Sequence, residues 1–318
     1  MEFSAAIKAA VVSALVVLLT GPFVIPELRK LKFGQSIRDE GPKSHQVKSG
    51  TPTMGGLMIL AALTAGTLCA VGPEPSALLA LFVTLGLGAI GFVDDYISVV
   101  KKRNLGLRPR QKMLAQTGMV VIVAIIGPRY FDVTTSCWIP VIDAVVDFGV
   151  VYYLILFFVL AGMTNAVNLT DGLDGLATGT VTVAAICYAV VCVSFGKAAL
   201  AAFCVAVAAA CLAFLRFNAH PAKVFMGDTG SLALGGALAI VAILTKTEFL
   251  LIIIGGVFVV ETLSVIIQVI SFQTTGKRVF LMSPIHHHFE LLGWPETKVV
   301  HTFWGTGLVL GILGLLLL

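Results

Sequence analysis

Five aspartates lie where polar loops meet long apolar segments of the sequence. Asp94 and Asp95 end one apolar segment, Asp171 and Asp174 follow another, and Asp228 precedes a third. A single aspartate at such a boundary is often a helix cap or a solvated residue. Unpaired acids near membrane depth are costly unless a cation or water meets them, and 165–175 contains no lysine. The set therefore favours a divalent cation, and oxygen ligands without cysteine suit magnesium better than zinc.

Two segments combine small residues with polar oxygens. The segment 165–175 reads NAVNLTDGLDG, and 225–231 reads FMGDTGS. Glycines allow a phosphate or metal to approach the backbone closely, and in a helix Asp171 and Asp174 would share one face. The segment 225–231 precedes an apolar run whose first free N–H groups could hold an anion. An ordinary capped helix start is the alternative.

Three consecutive histidines, His286, His287 and His288, follow a Ser-Pro pair. A zinc site is a weak interpretation, because adjacent side chains diverge and no zinc-type spacing is present. Hydrogen bonds to phosphates or a uracil ring are the favoured role. The segment 48–56, KSGTPTMGG, either holds a lipid phosphate at a helix entrance or turns the chain.

The elements that carry these residues are those of a membrane protein. The 318 residues are 58% hydrophobic and 12% charged, whereas soluble domains are about 25% charged. We predict an all-α polytopic fold and one integral membrane domain over 1–318. Ten apolar segments of bilayer-spanning length run near 3–25, 53–72, 76–93, 111–128, 147–166, 175–195, 197–216, 231–247, 249–272 and 299–318.

Basic residues orient these spans. Six follow the first predicted span and six follow the third. The positive-inside rule then places these loops, the five aspartates and the histidines at the cytoplasmic face, with both termini outside. The segment 128–147 is expected to be a short excursion at the outer face. In the ninth span, Glu261 and Gln268 either line a lipid groove or bond to a neighbouring helix.

These blocks, in this order, resemble the polyprenyl-phosphate N-acetylhexosamine-1-phosphate transferase superfamily, over nearly the whole chain. FVDDY at 92–96 and FMGDTGS are similar to blocks of the wider superfamily. GTPTMGG at 50–56 and HHHFE at 286–290 resemble the bacterial phospho-N-acetylmuramoyl-pentapeptide transferase branch, which makes the first lipid-linked peptidoglycan precursor.

The resemblance implies a reaction and a set of site residues. UDP-N-acetylmuramoyl-pentapeptide and undecaprenyl phosphate would give lipid I and UMP, with magnesium as cofactor, at the bacterial plasma membrane. Asp228 matches the family's metal ligand. The resemblance also implies that the protein can form a homodimer, and no nucleic-acid partner is expected. The catalytic candidates are Asp94, Asp95, Asp228 and His286. The substrate-binding candidates are Lys48, Thr51, Asn165, Asn168, Asp171, Asp174, Phe225, His287 and His288.

Two mechanisms are compatible with the sequence. A phosphate monoester is largely dianionic at neutral pH, so the lipid phosphate can attack the sugar-bearing phosphate directly, with Asp94 orienting it or removing a residual proton. The rival is an aspartyl-phosphate intermediate on one of the paired aspartates.

Other functions fit less well. A secondary transporter would hold its charges near the midplane of repeated halves, whereas these gather at one edge. A prenyltransferase of the aspartate-rich type would need a third acid after Asp94 and Asp95, and an intramembrane hydrolase would need a nucleophile or metal motif. An N-acetylglucosamine-phosphate transferase is the nearest alternative.

Overall fold

The protein is described by a computed structural model that covers residues 3–30, 50–100, 106–131 and 133–318. It is built mainly of helices, in agreement with the predicted fold class. The helices are α1 Phe3–Lys30, α2 Gly56–Val71, α3 Pro75–Val100, α4 Pro109–Tyr130, α5 Tyr152–Phe157, α6 Met163–Thr170, α7 Leu176–Ser194, α8 Ala198–Asn218, α9 Gly227–Thr245, α10 Glu248–Ile254, α11 Gly256–Thr275, α12 Ile285–Leu291 and α13 Glu296–Leu315.

Within the described ranges, nine helical segments are long and apolar enough to cross a membrane. They match nine of the ten predicted spans. The remaining predicted span, near 53–72, corresponds to α2, which has 16 residues and is therefore about 24 Å long. That is shorter than the roughly 30 Å hydrocarbon layer. The chain is a multi-pass membrane protein.

Helix α9 is the centre of the bundle. Every residue from Thr229 to Thr245 is buried, as expected of a helix that is hydrophobic on all sides. Its main neighbours are α3, α6 and α2. On α3, a Cβ atom at Gly91 would lie only 2.1 Å from the backbone oxygen of Asp228. A glycine is required there, and it lets the end of α3 reach the first turn of α9.

Two spans are irregular. A 3-10 turn, Gly149–Val151, α5, a π-helical turn, Phe158–Gly162, and α6 follow one another directly and form a single apolar segment. Helix α10 ends one residue before Gly255, and α11 begins one residue after it. The second break lies at a Gly-Gly pair, which is a common site of helix bending.

The predicted outer excursion near 128–147 contains a β-hairpin, which an all-α fold does not include. Strand β1, Ser136–Ile139, pairs antiparallel with β2, Ala144–Asp147. The Trp138 backbone N–H donates to the Lys246 backbone oxygen at 3.0 Å. The hairpin is thereby fixed to the loop after α9, at the end of that helix opposite Asp228.

Candidate active site

The first turn of α9 is held against the end of α3 by Asp95. One carboxylate oxygen of Asp95 accepts the Asp228 backbone N–H at 3.1 Å. The other accepts the Thr229 backbone N–H at 2.9 Å and the Thr229 hydroxyl at 2.6 Å. These N–H groups have no partner within their own helix, and the helix dipole favours a negative charge beside them. Asp95 therefore caps α9 from a different helix.

Lys112, in α4, lies between the two other aspartates of this region. Its Nζ is 2.5 Å from Asp228 Oδ2 and 3.3 Å from Asp94 Oδ1. Asp94 Oδ1 also accepts the Leu107 backbone N–H at 3.0 Å. All three charged side chains are largely buried. Helices α3, α4 and α9 thus bring two carboxylates to one cation.

The asparagines predicted to bind substrate lie one turn apart on α6. Asn168 Nδ2 donates to Asp228 Oδ1 at 2.7 Å and to Ser231 Oγ at 2.9 Å. Asn165 Nδ2 donates to Gln116 Oε1 at 2.7 Å, which ties α6 to α4. Asn168 therefore belongs to the Asp228 group, whereas Asn165 is one step removed from it.

Two of the quoted sequence blocks lie side by side. The Phe225 backbone N–H donates to the Pro52 oxygen at 2.8 Å, and the Gly55 N–H donates to the Phe225 oxygen at 2.8 Å. Phe225 and Thr51 are half-buried beside this pairing. Lys48, which precedes it, lies outside the described residues, as do most of the basic residues of the two predicted cytoplasmic loops.

Asp171 and Asp174 lie in a turn, Asp171–Gly175, and not in the helix that would have placed them on one face. The segment forms turns between α6 and α7, so the two side chains do not share a helix face. Asp171 stays near the first cluster: desolvation, together with the charges of Asp228 and two other aspartates, raises its pKa well above the ordinary value.

Asp174 contacts a second group of side chains. Its Oδ2 is 3.1 Å from His220 Nδ1 and accepts the Ala222 N–H at 3.0 Å, while its own N–H donates to Glu296 Oε1 at 2.8 Å. Within the described part of the chain, Asp174, His220 and Glu296 are the one set of three or more acidic, histidine or cysteine residues close enough to share a metal ion. The sequence prediction placed a metal at Asp228 instead.

The three histidines of α12 have three different surroundings, as expected for adjacent helical positions. His286 is buried, and its Nδ1 lies 3.0 Å from Glu261 Oε1. His287 Nδ1 lies 2.8 Å from Glu290 Oε2. His288 Nδ1 accepts the Leu281 backbone N–H at 3.1 Å.

The sequence also matches known proteins. Residues 77–246 match the model of glycosyl transferase family 4, and residues 48–60 match signature 1 of phospho-N-acetylmuramoyl-pentapeptide-transferase. A protein of that name from Bacillus subtilis (strain 168) is 56% identical over 95% of this chain and 94% of its own length. The chain belongs to the phospho-N-acetylmuramoyl-pentapeptide-transferase family. Similar proteins of the same name from Geobacillus sp. (strain WCH70) and Bacillus cytotoxicus are 57% and 58% identical, over 97% and 96% of this chain and 96% and 95% of theirs.

Sequence reasoning missed Lys112 as a site residue of this transferase family member, because it counted the lysine among the basic loop residues. One signal was present. Lys112 lies in the first turn of an apolar helix, where the helix dipole disfavours a positive charge, so a negatively charged partner was to be expected. Which aspartate supplies that partner depends on how the helices pack.

The sequence leaves two roles open for Glu261 and Gln268: to line a lipid groove or to bond to a neighbouring helix. In the structure, both side chains form hydrogen bonds or close polar contacts within the protein. Gln268 Nε2 donates to the Phe280 backbone oxygen at 2.9 Å, and its Oε1 accepts the Val279 and Phe280 N–H groups at 3.0 and 2.9 Å. Glu261 contacts His286. Helix α11 thereby holds the segment that carries the histidines of this family member.

Proposed function

We propose that this chain transfers phospho-N-acetylmuramoyl-pentapeptide from UDP-N-acetylmuramoyl-pentapeptide to undecaprenyl phosphate, which gives lipid I and UMP. Relatives named for this activity match nearly the full length. The observation that carries the proposal is the contact of Lys112 with both Asp94 and Asp228, the second of which also accepts a hydrogen bond from Asn168. It is a charged site at the ends of apolar helices, where a lipid-borne phosphate and a water-soluble nucleotide can meet.

The proposed topology has ten crossings, one membrane domain and both termini outside. The nine apolar segments and α2 would supply the crossings. The first turn of α2 packs on the start of α9, where the Gly56 N–H donates to the Met226 oxygen at 2.9 Å. The aspartate cluster would face the cytoplasm, because Arg108, Arg110 and Lys112 lie at the same end of α4 and basic residues favour that side. The homodimer stays a prediction of the resemblance.

Magnesium is the proposed cofactor, and Asp228 its proposed ligand. The donor set fits: Asp94 and Asp228 already converge on one cation, the Lys112 ammonium, and Asp95 and Asp171 add negative charge nearby. This region holds four carboxylates, and the described residues that pair with them there supply one ammonium, that of Lys112, so a hard cation with oxygen ligands suits it. When bound, magnesium would offset charge on the diphosphate and the departing UMP.

Direct attack is the proposed chemistry. An acceptor phosphate oxygen bonds to the sugar-bearing phosphorus, the bond from that phosphorus to the bridging oxygen breaks, and UMP leaves with that oxygen. Asp95 is a poor nucleophile for the rival route, because both its oxygens accept hydrogen bonds from α9. Asp94 would orient the acceptor, and Lys112 would hold the Asp94 and Asp228 carboxylates in place.

The test is UMP release by the purified protein in detergent with both substrates and magnesium. We expect release that requires the lipid, is abolished by a chelator, and falls about 1,000-fold in Asp228→Asn through lost charge stabilisation. Asp143→Asn, at an exposed aspartate of the β-hairpin, is the matched control and should retain activity.

Two outcomes would contradict this function. No release from folded protein would overturn the muramoyl assignment, and UDP-N-acetylglucosamine would then be the donor to assay. UMP release without the lipid acceptor would overturn direct attack and support the covalent route.

A further inference from the structure

A buried acid on α11 and a buried histidine on α12 form a pair, and the ring of His287 lies against the histidine with its centroid 4.1 Å away. Glu261 and His286 are both 0% exposed, and Glu261 Oε1 lies 3.0 Å from His286 Nδ1. The outer atoms of the pair, Glu261 Oε2 and His286 Nε2, are buried and make no hydrogen bond with any described residue. Buried polar atoms without a partner are rare in native proteins and require an explanation.

The number of protons shared by Glu261 and His286 determines whether His286 Nε2 is a hydrogen-bond donor or an acceptor. A buried pair with a net charge is costly, whereas a neutral pair is tolerated. A neutral pair holds two protons in one of three arrangements: glutamate with imidazolium, glutamic acid donating from Oε1 to Nδ1, or glutamic acid protonated on Oε2 and accepting from Nδ1–H. The first two place a proton on His286 Nε2, and the first has the charge-assisted hydrogen bond, which is the strongest of the three. The removal of one proton would leave an Nε2 lone pair and a buried negative charge. The pair therefore favours Nε2 as a hydrogen-bond donor.

That donor faces the turn that borders the aspartate cluster. A Cβ atom at Gly172 would lie 2.3 Å from His286 Nε2, so only glycine lets the ring reach this position. Gly172 follows Asp171, whose carboxyl is coupled electrostatically to Asp228. The imidazole therefore packs against the backbone of the Asp171–Gly175 turn, next to the proposed site of phosphoryl transfer.

We propose that Glu261 is a positioning residue of this site: it orients His286 so that Nε2–H is directed at a diphosphate oxygen of the nucleotide-sugar. This inference rests on the proposed function. The Gly172 backbone covers Nε2, so the phosphate oxygen reaches it when the Asp171–Gly175 turn moves aside on donor binding. The acceptor lipid makes no use of this proton.

The test compares Glu261→Gln, His286→Ala and the double variant by steady-state UMP release, with each substrate varied in turn. Glu261→Gln should lower kcat/KM for the nucleotide-sugar by about 100-fold, the scale of a lost supporting partner or proton donor. The KM for undecaprenyl phosphate should not change. The double variant should be no less active than His286→Ala alone, because Glu261 acts through the histidine.

Glu248→Gln is the matched control. Glu248 is also a buried glutamate, with Oε1 bonded to Tyr152 and Oε2 without a partner among the described residues, and it lies at the other end of the bundle. It should leave both substrate KM values unchanged. Thermal unfolding of each variant reports folding, and Glu261→Asp provides a second carboxylate variant if Glu261→Gln does not fold.

Three results would overturn the positioning role. They are an additive loss in the double variant, equal changes in the KM of both substrates, or full activity of a folded Glu261→Gln. Absence of UMP release from the wild-type protein would instead reject the proposed function itself, so the two failures are distinguishable.

Discussion

The two ends of α9 both carry buried polar side chains, but they differ in charge. At the N-terminal end, Asp94 and Asp228 both contact the ammonium of Lys112, and Asp95 accepts the Asp228 backbone N–H. Just beyond the C-terminal end, the buried carboxylate of Glu248, the first residue of α10, accepts a hydrogen bond from the neutral Tyr152 hydroxyl at 2.9 Å. Carboxylates outnumber cations at the first end among the described residues, and hydrogen bonds join elements at the second.

The N-terminal end is therefore a candidate site, whereas the polar side chains near the C-terminal end connect neighbouring elements of the fold. Burial and polarity are present at both ends, so neither feature identifies the site. The excess of negative charge distinguishes the two ends, and the proposed magnesium site rests on it. At the C-terminal end, the Lys246 oxygen instead fixes the β-hairpin to the loop after α9, and the Glu248 carboxylate joins α5 to α10.

Among the changes that compare the two ends of α9, the largest effect is expected at Lys112. Lys112→Gln removes the ammonium from between two carboxylates, and their mutual repulsion should displace Asp228. We expect UMP release to fall by about 100- to 1,000-fold, on the scale of lost electrostatic stabilisation in active sites. Initial rates at saturating magnesium measure this loss.

Lys246→Gln provides the matched control for that experiment. Lys246 follows α9 directly and donates to the exposed Thr134 hydroxyl at 2.8 Å, so its replacement should leave the rate within about twofold, as is usual for surface changes. Equal losses in the two lysine variants would remove the distinction between the two ends of α9.

A smaller effect, chiefly on stability, is expected at Asp95. Asp95→Asn replaces one accepting oxygen by an NH₂ group, which faces α9 N–H groups that need an acceptor. Leaving such buried donors unpaired costs about 1–3 kcal/mol. Thermal unfolding in detergent should occur at a lower temperature than for the wild type, and activity should fall with the displaced first turn of α9. Unchanged unfolding would contradict the cap assigned to Asp95.

The smallest effect is a pH dependence of stability at Glu248, just beyond the C-terminal end of α9. Burial raises the pKa of Glu248 to about 7, above an unfolded value of about 4.3. The native state therefore keeps a proton that the unfolded state releases. This contribution to stability is full below about pH 4 and is lost as the pH rises through 7.

Glu248→Gln should flatten the change in unfolding temperature between pH 5 and 8, while UMP release stays unchanged. Glu27→Gln, at an exposed glutamate paired with Lys30, should retain the wild-type profile. An unaltered pH profile in Glu248→Gln would show that this carboxyl does not titrate on unfolding.

Much of the fold follows from composition and the length of apolar runs. Nine of the ten predicted spans correspond to helices of spanning length, because a bilayer sets both the length and the hydrophobicity of a crossing helix. The β-hairpin was missed because its strands have four residues each, as in Ser136–Ile139. An alternation of apolar and polar residues over four positions cannot be distinguished from a loop. The break at Gly255 was indicated only by a glycine pair.

Composition, the lengths of the apolar runs and the order of the motifs were enough to predict the class of protein, the residues that carry charge at the helix ends and the family. What each of those residues contacts follows only from the folded arrangement of the helices. Asp228 meets Lys112 from 116 positions away, and Asp95 meets Thr229 from 134 positions away. Local periodicity specifies which residues share a helix face, but contacts between distant helices depend on how the whole bundle packs. For that reason Asp95 as a cap, Lys112 between two carboxylates and Glu261 beside His286 became visible only in three dimensions.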